Sequence, residues 1–203
     1  AMVVHYDYTV LAGTQGGRNH YKQDRMFELA LRFRLPIVLF GEGGGGRPGD
    51  DSTGPSVAFD THTFSQFSKL SGAVPLVGVN HGRCFAGNTA LLACCDVIIA
   101  TKDSTIAMGG PAMIEGGGLG IYTPEEVGPM SFQVPNGVVD ILVNDEQEAV
   151  ATAKKYLSYF QGKLPDWESP EQKRLRHIVP ENRLRLYEMR DIIATLADEG
   201  SVL

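Results

Sequence analysis

Pro75-Leu-Val-Gly-Val-Asn-His-Gly-Arg-Cys-Phe-Ala-Gly-Asn-Thr-Ala-Leu-Leu-Ala-Cys-Cys-Asp-Val-Ile-Ile-Ala100 is the stretch on which the fold turns. It runs from an apolar strand (Val74 to Val79) into a glycine-bearing loop (Asn80 to Gly87). A short apolar helix (Asn88 to Cys95) and a second apolar strand (Asp96 to Thr101) follow. Strands this uniformly apolar are buried on both faces, as in parallel sheets, and parallel strands need a crossover between them. The same rhythm extends upstream. Val3 to Leu11 reads as a strand, Ala12 to Gly17 as a turn, and Asn19 to Phe33 as a helix with Met26, Leu29, Ala30 and Phe33 on one face. Pro36 to Phe40 is another buried strand, followed by a polar loop to about Pro55 and a helix from Phe59 to Ser71. Downstream, Ser104 to Met108 reads as a strand, and Thr123 to Val127 and Glu146 to Phe160 as helices. Residues 1–160 thus form one α/β domain. Residues 161–203 hold a polar connector, Gln161 to Pro170, and a charged amphipathic helix from Pro180.

The bulk properties narrow the function. The 203 residues are 43% hydrophobic, enough for a real core. A net charge of −6 argues against nucleic acid or a membrane surface as partner. No apolar run approaches a membrane span, and no basic-then-apolar signal opens the chain. Ala1-Met2 reads as a cloning remnant ahead of a strand already in mid-domain. Three cysteines, two of them adjacent (Cys94, Cys95), point to a reduced, cytoplasmic setting. His5, His20, His62, His81 and His177 lack metal-ligand spacing, so no metal is expected.

The 24 glycines are clustered, and two clusters share one design. Phe40-Gly-Glu-Gly-Gly-Gly-Gly-Arg47 and Val79-Asn-His-Gly-Arg-Cys-Phe-Ala-Gly-Asn88 both follow an apolar strand. Glycine lets a backbone approach a ligand with no β carbon in the way. Amides at a helix start favour negative charge, and two amides converging from two loops make an oxyanion hole. For Gly43 to Gly46 alone, a plain tight turn is the competing reading. A phosphate-gripping P-loop fails because no Gly-Lys-Ser/Thr follows, and a dinucleotide fingerprint fails on glycine spacing.

Read through to Ala100, the second loop resembles the core segment of the crotonase superfamily: a proline, an apolar strand, Asn, a small-residue loop, a helix, then Cys-Asp-Val-Ile-Ile-Ala. The resemblance places Gly87 on one oxyanion amide and puts the other near Gly45 or Gly46, with Ala86 beside Gly87. It also removes one chemistry. The two glutamates of crotonase-type hydratases fall on Ala90 and Ala112, and a methyl group transfers no proton.

Along nearly its whole length the chain resembles carboxyltransferase subunits of biotin-dependent acetyl- and propionyl-CoA carboxylases. The resemblance rests on Glu42-Gly-Gly-Gly-Gly-Arg47, Gly82-Arg-Cys-Phe-Ala-Gly87, Gly110-Pro111, Glu125-Glu-Val-Gly-Pro129, Asn136-Gly-Val138, Ile178-Val-Pro180 and Tyr187-Glu-Met-Arg190. It implies a ClpP/crotonase ββα superhelix, here a single incomplete half that binds acyl-CoA. The biotin half would begin after Leu203, and the chain is expected to be a fragment inactive alone. The implied substrate is acetyl- or propionyl-CoA, with biotin brought by a carrier domain. The implied partners are biotin carboxyl carrier and biotin carboxylase components, with self-association through carboxyltransferase halves. The mechanism the resemblance implies is that carboxybiotin releases CO₂, the biotin enolate takes the α-proton of acyl-CoA, and the acyl enolate attacks CO₂. Gly45, Gly46, Ala86 and Gly87 are then the oxyanion amides. Gly43, Gly44, Arg47, Arg83, Arg18 and Lys22, with Arg25 as a further cation, are candidates for holding CoA. Arg18, Lys22 and Arg25 also read as ordinary solvated cations.

Departures are expected to matter less for catalysis than for selectivity. Phe85 and Asn88 enlarge the second loop. Gln133 stands where many relatives carry histidine, and no catalytic role is assigned to it. His81 reads as a structural hydrogen-bond group, and Cys84 as a packing residue with no base beside it. A biotin-dependent decarboxylase subunit and a non-catalytic CoA-binding fragment remain alternatives, because the hole serves both directions and a fragment can bind without turning over.

Overall fold

A computed structural model describes residues 1–47 and 62–203. The chain resolves into two compact units, Ala1–Phe160 and Gln161–Leu203. The first holds β1 (Met2–His5), α1 (Gly17–Phe33), β2 (Ile37–Phe40), α2 (His62–Ser68), β3 (Leu76–Asn80), β4 (Arg83–Phe85), α3 (Gly87–Leu92), β5 (Val97–Thr101), β6 (Thr105–Ala107), α4 (Pro111–Gly116), α5 (Met130–Gln133), β7 (Ile141–Val143) and α6 (Glu146–Ser158).

Five strands form one wholly parallel sheet in the order β1-β2-β3-β5-β7. The alternating direction of side chains along a strand divides its core. Ile37 and Leu39 of β2 pack with Val4, Phe27, Phe67, Leu76 and Leu91 on the side of α1 and α2. Val38, between them in sequence, joins Val77, Val79, Val97 and Ile99 against Ala149 and Ala153 of α6. β4 and β6 make a small parallel sheet of their own. A third cluster, around Cys84, Leu92, Ile98, Ala100 and Ile106, packs between the two strand systems.

Several expected elements are shorter than their sequence pattern. The strand read over Val3 to Leu11 ends at His5, because Asp7 closes a side-chain turn on Thr9: its carboxylate accepts from the Thr9 N–H at 3.0 Å and from its hydroxyl at 2.6 Å. Thr123 to Val127 is a 3₁₀ turn of three residues, Pro124–Glu126, started by a Thr123–Glu126 capping box. The helix read from Pro180 is confined to α8 (Met189–Leu196), after the short α7 (Leu175–Ile178), because Asn182 accepts from the Leu184 N–H and sets a turn there. The polar loop to Pro55, and the start of the helix read from Phe59, lie outside the described residues; the described helix runs from His62. In the second unit, Gln172 ties the turn before α7 to the Thr195 carbonyl of α8 at 2.6 Å. No described helix is long and apolar enough to cross a membrane.

Candidate active site

β2 and β3 are parallel neighbours, so the glycine loops that follow them open at the same end of the sheet. The loops then pair with each other. The Gly43 N–H donates to Arg83 O at 2.9 Å, and the Phe85 N–H donates to Gly43 O at 2.8 Å. Glu42 adds a side-chain link, accepting from the His81 N–H at 2.5 Å. Past that point the loops touch. A β carbon on Gly45, the residue before Gly46, would lie 3.4 Å from the Gly87 nitrogen at the start of α3.

The amides sort into two kinds. The Gly43 N–H is spent on Arg83, and that of Gly44 donates to Ala12 O at 3.0 Å. The Gly45 N–H donates to Asn88 Oδ1 at 3.0 Å, and the Ala86 N–H to Ala107 O at 3.2 Å. Gly45 and Ala86 therefore frame the site, and their own donors are engaged inside the protein. The Gly46 and Gly87 amides donate to no acceptor among the described residues. Gly46 is exposed, with open space where a side chain would be. Gly87 is the first residue of α3, so its N–H has no partner in the helix. Ala86, just before it, has a backbone rare for a residue with a side chain, φ 52° and ψ −123°.

The candidate cations differ in what they already hold. Arg47 is tied to Thr14, its Nε to the hydroxyl at 3.1 Å and its Nη2 to the carbonyl at 2.9 Å. It also lines a cavity of about 190 Å³ with Tyr6, Asp7, Gly13 and Asn19. Arg83 makes an exposed ion pair with Glu125, which raises the guanidinium and lowers the carboxyl from their ordinary pKa ranges. Lys22 lines a second cavity of about 290 Å³ between β1 and α1. Arg18 is exposed in the first turn of α1, and Arg25, two turns further along the helix, pairs with Glu28 at 2.7 Å.

The positions where hydratase carboxylates would stand are occupied by Ala90, half-buried in α3, and by Ala112 in α4. Cys84 is fully buried, and burial pushes its thiol up to about 12, out of the range of a nucleophile. His81 pairs with Glu146 at 3.2 Å. Gln133 is structural: its amide donates to Ile106 O at 2.5 Å and accepts from Asn136 at 3.0 Å. Among the described residues no group of His, Cys, Asp and Glu side chains is placed to hold a metal.

The family model of the carboxyl transferase domain matches residues 1–203, the whole chain. The chain belongs to the carboxyl transferase family. It is 30% identical, over 97% of its length, to the methylmalonyl-CoA carboxyltransferase 12S subunit of Propionibacterium freudenreichii subsp. shermanii, of which it covers 39%. The solved structure of a transcarboxylase 12S hexamer core with hydrolysed methylmalonyl-coenzyme A superposes with a TM-score of 0.75 at 28% identity, over 96% of this chain and 39% of that one. A single-chain, multi-domain long-chain acyl-CoA carboxylase superposes with a TM-score of 0.88 at 60% identity, over 98% of this chain and 20% of that one. The fold is therefore crotonase-like, and the chain spans about two fifths of the length of the curated relatives it matches.

Sequence reasoning missed one member of this site, Asn88. From sequence it only enlarges the loop, whereas its side chain is buried and bonded across to Gly45. A polar residue between glycine and an apolar helix was the available signal, because a polar side chain buried there has to find partners.

Proposed function

We propose that the chain is the acyl-CoA half of a biotin-dependent carboxyltransferase, in which the Gly46 and Gly87 amides bind the thioester oxygen as it becomes an enolate. The observation that carries this reading is the pair of unspent N–H groups on two touching loops, with alanine at both positions where hydratase chemistry needs a carboxylate. Hydrogen bonds to an oxygen that gains charge in the transition state lower the barrier without requiring a base from the protein. Biotin, brought on a carrier, supplies the carboxyl group. Two amides suit one oxyanion, so this chain's residues are assigned to the acyl-CoA, and the ureido oxygen of biotin is left to donors in a second half. Arg47, Arg83, Arg18 and Lys22 are the cations offered to the CoA phosphates, with Gly43 and Gly44 shaping the approach. Biotin carboxyl carrier and biotin carboxylase components, further copies of the carboxyltransferase and a cytoplasmic setting complete the proposal.

The sequence resemblance pointed to acetyl- or propionyl-CoA as substrate. The 60% identity to a long-chain acyl-CoA carboxylase favours a longer acyl chain. The test is incorporation of labelled bicarbonate into acid-stable product by the protein that carries this chain, with its biotin carrier, over acyl-CoA from two to twenty or so carbons. Turnover with no acyl-CoA in either direction, carboxylation or decarboxylation, would remove the assignment.

A further inference from the structure

Asn88 follows Gly87 in α3, but its side chain turns back towards the first loop. It is 0% exposed. Its Oδ1 accepts from the Gly45 N–H at 3.0 Å and from Gln15 Nε2 at 3.1 Å. Its Nδ2 faces the carbonyls of Glu42 at 3.3 Å and Gly13 at 3.4 Å. All four hydrogen-bonding positions of the amide are thereby used. The backbone N–H of Gly45 settles which end is oxygen, since a flipped amide would set donor against donor.

The glycines make room for this side chain. A β carbon on Gly43 would fall 2.1 Å from Asn88 Nδ2. The four-glycine run is therefore shaped around an asparagine from the opposite loop.

Gln15 completes the arrangement. Its backbone N–H donates to Gly45 O at 2.6 Å, and its backbone oxygen accepts from the Arg47 N–H at 2.8 Å. Gly45 O belongs to the same planar peptide as the Gly46 N–H, and in a trans peptide the two point in opposite directions. Holding that oxygen on Gln15 turns the Gly46 N–H outward. The Gln15 side chain is fixed in turn by Tyr6, whose hydroxyl accepts from Gln15 Nε2 at 3.0 Å and from Gln23 Nε2 at 2.7 Å. Tyr6, Gln15 and Gln23 are all buried.

We infer that Asn88 is a positioning residue that sets the separation and aim of the two oxyanion donors. It is joined to one by a covalent bond, at Gly87, and to the other by the hydrogen bond to Gly45 and the Gln15 clamp. This inference rests on the reading of Gly46 and Gly87 as the hole. An oxyanion gains from donors only when they are held at the right place before the charge forms, so loosening them costs turnover more than substrate binding.

The experiment compares Asn88→Ala with wild type in the complete protein and its biotin carrier, using an acyl-CoA that the wild type carboxylates. We expect kcat to fall on the order of ten- to a hundredfold, somewhat less than loss of a donor itself. The KM for acyl-CoA should stay within about threefold, and calorimetry with the same acyl-CoA should show full stoichiometry. Full stoichiometry separates a loosened hole from a partly unfolded sample, which would lose binding sites together with turnover. If Asn88→Ala does not accumulate as folded protein, Tyr6→Phe serves instead. It releases Gln15 while leaving Asn88 in place and should give the same split, with a smaller fall in kcat. An active wild type with kcat within twofold in the variant, or a loss that lies entirely in KM, would overturn the role of Asn88. A wild type inactive on every acyl-CoA would overturn the reading of the hole and this inference with it.

Discussion

A β carbon on Gly45 would fall 2.5 Å from the β carbon of Ala86, well inside van der Waals contact. The two residues sit at the tips of the two glycine loops, and both have positive φ, 85° for Gly45 and 52° for Ala86. The loops meet here as closely as side chains allow. Gly45→Ala should therefore destabilise the domain by about 2–4 kcal/mol, from the clash together with the strained φ. Ala86→Gly alone should be close to neutral, because relief of strain offsets the extra freedom of glycine in the unfolded chain. The double variant should recover part of the loss, with a coupling of about 1–2 kcal/mol, since the φ strain at position 45 remains. Chemical denaturation of the four proteins checks this. Strictly additive effects would mean that the loops separate to accommodate the extra carbon.

Cys84 should resist modification. It is fully buried, and burial pushes its thiol up to about 12, so almost no thiolate exists near neutral pH. Cys95 is raised by burial as well, and Cys94, only half-buried, is raised by the same cause. N-ethylmaleimide at pH 8 should label Cys94 first and leave Cys84 intact until the protein unfolds, as read by peptide mass spectrometry. These shifts also set the alkaline limit of the fold. A folded-state pKa above the unfolded value gives stability that is present below the unfolded value and lost as pH climbs through the gap. For Cys84 the gap runs from 9.0 to about 12, and Tyr6, also raised by burial, extends the loss further. Stability should fall from about pH 9 upward. Cys84→Ala should cost about 1 kcal/mol at pH 7 and soften that alkaline decline.

The elements that were legible in the sequence are those whose pattern is set by burial on both faces. Ile37–Phe40, Leu76–Asn80 and Val97–Thr101 lie at the centre of the sheet, where each residue needs an apolar side chain. The glycine loops were legible because close backbone contact demands glycine at Gly43 and Gly45. Shorter elements were not. Arg83–Phe85 is a strand inside what reads as loop, because its partner, Thr105–Ala107, is 22 residues further on and three residues carry no periodicity. Asn88 was misjudged for a related reason. Its partners, Gly13, Gln15, Glu42 and Gly45, lie 43 to 75 residues away, and only the fold brings them together.

Arg83 offers a binding prediction with two signs. Its guanidinium is exposed and engaged by Glu125, also exposed. Exposed pairs are weak and open readily to a better anion. If Arg83 meets a CoA phosphate, Arg83→Ala should weaken acyl-CoA binding by roughly two- to tenfold, whereas Glu125→Gln should strengthen it by a few fold, as the competing carboxylate is gone. Both effects should shrink in 0.5 M salt, where charges separated by more than a few ångströms are screened. Calorimetry on the four combinations of charge checks this. Equal binding by wild type and both variants would place the phosphates elsewhere, with Arg47 and Lys22 the next to test.

Gly87 separates an amide from a side chain as the source of activity. It is the first residue of α3 and is not in the positive-φ region, so alanine suits its backbone. Proline removes the N–H and costs no helical hydrogen bond, because the first N–H of a helix has no helical acceptor, but its ring also presses on Ala86, whose ψ of −123° lies outside the extended range a residue before proline takes. Alanine keeps the N–H and adds a methyl group 3.3 Å from Phe64 Cζ and 3.7 Å from Gln15 Nε2. Phe64 is partly exposed and can swing aside by the few tenths of an ångström required. In the complete protein with its biotin carrier, Gly87→Pro should therefore lower carboxyl transfer by about a hundredfold or more, the usual cost of one missing oxyanion donor. Gly87→Ala should keep most of the turnover. Labelled bicarbonate incorporation measures both, and circular dichroism confirms that each variant retains its helices. Equal losses from the two substitutions would point to crowding against Phe64, while undiminished turnover in a folded Gly87→Pro protein would show that the carbonyl oxygen is held by other donors.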